Sequence, residues 1–84
     1  MKEFADVTKE EINEQYKIVS RNVKKYRLLK GVTQEQLALS MGFTTATFYT
    51  NAENYRQDKH FNLEHIIKIS KTLKVDICQF FEDN

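Results

Sequence analysis

The sequence predicts an all-α fold of five helices, and three observations carry that prediction. There are no prolines and only two glycines, which disfavours a turn-rich β fold. Apolar residues recur at spacings of three and four, and no segment alternates with a period of two. Thr8 with Glu11, Thr33 with Gln36, and Asp76 with Gln79 have capping-box spacing. In that arrangement two side chains satisfy the free N–H groups that open a helix.

The first helix begins at Thr8. Ile12, Tyr16, Val19, Val23 and Tyr26 then fall on one stripe. Gly31 stops it, because glycine takes the left-handed conformation that closes a helix. One helix from Thr8 to Lys30 fits, and so do two segments with a break and a cap at Ser20. Residues 1–21 read as an N-terminal helical extension and residues 22–84 as the domain proper. The second helix starts at Thr33, turns Leu37, Ala38 and Met41 inward, and ends at Gly42. The third starts at Thr44 and runs to Glu53 or Asn54, anchored by Phe43 and Phe48. A polar loop follows, from Asn54 to His60. Asn62 caps the fourth helix, whose buried side holds Leu63, Ile66, Ile67, Ser70 and Leu73. The short fifth helix opens at Asp76 and carries Ile77, Phe80 and Phe81.

At 84 residues the chain forms one small domain. Its lone cysteine, Cys78, allows no internal disulfide, which suits a reducing compartment and predicts a cytoplasmic protein. Apolar runs are short, as at Ile66-Ile67 and Phe80-Phe81, so no membrane span or secretory segment is expected. Met1-Lys2-Glu3 carries no targeting pattern. His60 and His65 are five residues apart, off a common helical face, and no CxxC or HxxxH pair accompanies Cys78; no metal site is expected. There is no glycine-rich phosphate loop and no nucleophile–base pair. The sequence predicts neither an enzyme nor a cofactor, and no small-molecule substrate is evident.

The segment Gly31 to Tyr49 is the most specific feature. Two capped helices are joined by a tight turn, and such helices cross steeply only where they approach closely. Ala38 supplies a small side chain for that approach, Gly42 a turn free of Cβ hindrance, and Phe48 an apolar anchor one turn into the next helix. This is the pattern of a helix-turn-helix, whose second helix enters the major groove of DNA. Residues 21–60 hold seven basic side chains against three acidic ones, although the whole chain is only +1. Positive charge therefore gathers where a phosphate-binding surface needs it.

From Val23 to Phe81 the chain resembles the phage repressor and Cro group of helix-turn-helix domains, the XRE family. The resemblance rests on Arg27, the run Gly31-Val32-Thr33-Gln34-Glu35-Gln36-Leu37-Ala38, and Gly42-Phe43. It continues in Asn62-Leu63-Glu64, Ile66-Ile67-Lys68-Ile69, Leu73, Val75-Asp76-Ile77 and Phe80-Phe81. It implies a five-helix repressor-like fold and double-stranded DNA as the partner. Gln34 matches the position where the second helix opens against the DNA backbone. Thr45, Ala46, Tyr49 and Thr50 match the base-facing positions of the recognition helix, which on this reading opens at Thr44. Arg56 and Lys59 match a backbone-holding loop. Arg27 reads as the partner of a glutamate such as Glu53.

Two departures from the family pattern matter. The glutamate ten residues after the turn glycine is Ala52 here, with Glu53 one residue later. Either the turn holds an extra residue, which rotates Asn51 onto the DNA face, or the helix end is reorganised. Phe48 is the better apolar anchor, which favours the second. The loop from Glu53 to Leu63 is also two residues longer than usual.

The expectation is a sequence-specific transcriptional regulator acting as a homodimer. The alternative is a protein-interaction helix-turn-helix module, such as the antitoxin of a toxin–antitoxin pair, which the near-zero net charge keeps open.

Overall fold

In the computed structural model, which describes residues 6–83, four α-helices run in order: α1 Lys9–Leu29, α2 Gln34–Ser40, α3 Thr47–Glu53 and α4 Leu63–Leu73. No strand occurs among the described residues. The first five residues of the expected extension lie outside them.

α1 is a single helix through Ser20. The Ser20 hydroxyl donates to Ala52 O at 2.8 Å and so ties α1 to α3 instead of opening a new helix. Thr8 caps α1 as expected, accepting from Glu11 N at 3.1 Å. Both glycines act as stops. Gly31 (φ +71°) and Gly42 (φ +96°) are left-handed. At each, two backbone bonds reach back to the last helical turn: Gly31 N to Leu28 O and Val32 N to Arg27 O, then Gly42 N to Leu39 O and Phe43 N to Ala38 O. This is the Schellman closure that favours glycine. The capping box at Thr33 and Gln36 forms in full.

The fifth predicted α-helix is a 3₁₀ segment, Ile77–Phe81. The Asp76 carboxylate accepts from Cys78 N, two residues on, while Gln79 N donates to the Asp76 carbonyl at 3.0 Å. Asn22 of α1 donates its amide to both Phe80 O (2.9 Å) and Glu82 O (2.7 Å), capturing carbonyls near the end of this segment. Inside the predicted loop, Lys59 N donates to Arg56 O at 2.9 Å and closes one tight turn over Arg56–Asp58, whose Gln57 and Asp58 are left-handed.

α1 is the hub: it packs on α3, α4 and the C-terminal 3₁₀ segment, while α2 packs on α3 and α4. The core is Val19 and Val23 from α1, Leu37, Ala38 and Met41 from the α2 end, Tyr49 and Ala52 from α3, and Phe61, Ile66, Ile69, Leu73, Val75 and Phe80. Ala38 is fully buried, as a close crossing requires. Three predicted inward residues face solvent instead: Leu63 is 64% exposed, Ile67 is exposed, and Phe81 is 43% exposed. The buried line of α4 is Ile66, Ile69 and Leu73, so Leu63 and Ile67 fall on the neighbouring stripe.

Candidate nucleic-acid interface

A helix of seven residues is too short to hold its shape in water unaided. α3 is held from behind by one buried network. The Glu53 carboxylate accepts from Arg27 Nε (2.8 Å) and Nη2 (3.1 Å), from Gln34 Nε2 (3.0 Å), and from the Tyr49 hydroxyl. Arg27 Nη1 also donates to Val32 O at 2.8 Å. One carboxylate thus joins α1, the start of α2 and two successive turns of α3. Burial alone would push Glu53 up, but hydrogen bonds from Arg27, Tyr49 and Gln34 outweigh it and hold it below its ordinary value. The same bonds to Glu53 raise Arg27 further. Burial, then the bond to Glu53, pushes the Tyr49 hydroxyl far up. The Arg27–Glu53 pairing read from the sequence is therefore present.

The anchor of α3 is Tyr49, and this corrects two expectations. Tyr49 is 0% exposed, so it does not present itself to a base edge. Phe48 is only half-buried, in an aromatic group with Phe43 (ring centroids 5.2 Å) and His65 (5.0 Å). The reason is chemical. A buried carboxylate needs donors, and the tyrosine ring brings a hydroxyl while filling the core beside Phe61 at 5.4 Å. The extra residue consequently sits in the turn. Thr44, Thr45 and Ala46 are bends, and α3 begins at Thr47 rather than Thr44. Thr45 Oγ1 accepts from Thr47 N at 3.4 Å.

With Tyr49, Ala52 and Glu53 turned inward, Thr47, Thr50, Asn51 and Asn54 lie on the outward side of α3. Sequence reasoning missed Thr47 and Asn54. Their i, i+7 spacing is the signal, and it becomes legible only once the anchor is Tyr49. Thr50 Oγ1 donates to Gln34 Oε1 at 3.3 Å, so Gln34 bridges the outward side and the buried carboxylate. Gln34, Ala46 and Thr50 line one shallow cleft with Gly31, Val32 and Thr33. Thr44 and Thr45 are exposed beside it, and Asn51 is partly so.

Arg56 and Lys59 are exposed and stand apart from that cleft, in the loop after α3. Tyr55 (φ 52°), Gln57 (54°) and Asp58 (57°) are all left-handed there. Each such non-glycine residue costs roughly 1–2 kcal/mol. His60 is stacked on Tyr16 of α1, with centroids 3.7 Å apart, which pins the loop's far end. Among the described residues no group of His, Cys, Asp and Glu could hold a metal ion. No helix there is long and apolar enough to cross a membrane.

No curated protein and no solved structure matches the chain. A family model described as Helix-turn-helix matches residues 23–80, more than half the chain. That span runs from the middle of α1 into the C-terminal 3₁₀ segment and contains the whole Glu53 network. The chain belongs to the XRE-type helix-turn-helix family of DNA-binding domains.

Proposed function

We propose that the protein is a sequence-specific transcriptional regulator that inserts the outward side of α3 into the major groove. The observation that carries this reading is the division of α3 into two sides: a buried one locked by Tyr49 and Glu53, and an open one lined by hydroxyls and amides. Thr47, Thr50 and Asn51 are the base-reading side chains, with Thr44, Thr45 and Ala46 leading into the groove. A threonine can donate, accept, or touch a thymine methyl, and asparagine can pair bidentately with adenine. Gln34 positions Thr50, and Arg56 and Lys59 hold phosphates. The protein has no catalytic role on this reading and acts in the cytoplasm.

It works as a homodimer on two half-sites about one helical turn apart. Support comes from the exposed Leu63 and Phe81, which edge a largely apolar cleft of about 310 Å³ between α1 and α4. The same cleft favours a second reading, an interaction module that docks another protein. Selection from a random duplex pool separates the two. The regulator yields a palindromic consensus, and its affinity falls steeply with salt. Absence of any duplex retention at low salt overturns the regulator.

A further inference from the structure

We infer that the cleft between α1 and the left-handed loop is a second phosphate-binding surface, which seats the DNA strand flanking the recognition site; this rests on the duplex-binding reading. The cleft has a volume of about 670 Å³. One wall is α1, where Lys17, Arg21 and Lys24 recur at spacings of four and three and so share a face. The other wall is Asn54 with Tyr55, Gln57 and Asp58 of the loop. The helix-turn-helix reading gives these three α1 cations no task.

The charges in the cleft are unequally engaged. Arg21 Nη2 donates to Asp83 Oδ1 at 3.1 Å, with both side chains largely exposed. Lys17 Nζ lies 5.6 Å from the centre of the Tyr55 ring. Lys24 forms no ion pair among the described residues. Glu53 also borders the cleft, but Arg27 neutralises it, which leaves Asp58 as the one exposed acidic group on the wall. The balance is positive. Three left-handed non-glycine residues in the facing loop mark a backbone held in a costly shape, a feature that gathers at binding sites.

Position selects a duplex strand over a free anion. Asn54 belongs both to the cleft wall and to the outward side of α3, where its amide donates to Thr50 O at 2.9 Å. A duplex lying on Thr47, Thr50 and Asn51 therefore carries its flanking strand past Asn54 toward Lys24 and Lys17. Those two lysines are seven residues apart, about 10 Å along α1. That matches the axial rise of about three phosphates of one strand.

The test compares the full chain with K17A/K24A and R56A/K59A, measuring duplex affinity from about 50 to 200 mM salt. Each phosphate that is no longer neutralised should flatten the log–log salt slope by about 0.9. K17A/K24A is expected to flatten the slope and to weaken binding to specific and mixed duplexes alike, and K17R/K24R to restore both. The inference is overturned if K17A/K24A binds like the parent while R56A/K59A flattens the slope. If the parent chain does not bind duplex at low salt, the duplex-binding reading itself fails, a result distinct from the previous one.

Discussion

Glu53 shows how a single side chain can set the geometry of a binding surface. A buried carboxylate is tolerated only when donors surround it, and here three side chains supply them. Removing one partner leaves a buried charge unpaired, so Arg27→Ala should destabilise by about 3–5 kcal/mol in urea unfolding. Tyr49→Phe keeps the ring and removes one donor, for a loss of about 1–3 kcal/mol. Because Glu53 is held below its ordinary value, the folded state binds fewer protons there than the unfolded chain does. Its contribution is complete above the unfolded value of about 4.3 and is lost as pH falls through the folded one. Glu53→Gln should flatten the acid limb of a stability–pH curve. His65 acts in a higher window. Its Nδ1 accepts from Asn62 N at 3.0 Å, which requires the neutral ring, and burial lowers its pKa. Stability should therefore be full above about 6.5 and decline as pH falls through that value toward the folded pKa. His65→Gln keeps an acceptor at the capping position and should remove that step in thermal melts run between about pH 5 and 8.

Among the elements, α3 is the one whose register the sequence alone leaves open. The starts of α1, α2 and α4 and the stops at Gly31 and Gly42 are legible, because capping residues and left-handed glycines act locally. The choice between Phe48 and Tyr49 is not local. Ranked by apolarity Phe48 is the better plug, but the deciding partner, Glu53, is itself buried through Arg27 on another helix. The C-terminal segment keeps i→i+3 bonds, Gln79 N to Asp76 O and Glu82 N to Gln79 O, and its end is fixed by Asn22 of α1 through Phe80 O and Glu82 O, a partner remote in sequence. Loop strain at Tyr55, Gln57 and Asp58 leaves no signal in the composition. Two alanine variants compare the candidate anchors directly. Tyr49→Ala should cost more than Phe48→Ala, on the order of 3–5 kcal/mol for the fully buried ring. Equal losses would rule out Tyr49 as the sole anchor. Gly42→Ala meets no neighbour within 4 Å, so its cost should be the left-handed strain alone, about 1–2 kcal/mol.

At the scale of the whole molecule, a near-neutral chain presents its charges unevenly. The α1 face at Lys17, Arg21 and Lys24 borders the end of α3 at Glu53 and Asn54, and the loop that follows α3 carries Arg56 and Lys59, whereas Glu10, Glu11 and Glu14 sit on the N-terminal turns of α1. On the proposed duplex-binding reading, the acidic N-terminal turns keep that end of α1 off a duplex and leave the basic stretch to meet it. The most direct measurement is a backbone amide NMR titration of the full chain with a selected duplex. The largest shifts are expected at Thr44 to Thr47, Thr50, Asn51 and Asn54, with small ones around Leu63 and Phe81. Shifts confined to Leu63, Ile67 and Phe81, with α3 unmoved, would contradict the assignment of α3 as the DNA-reading element.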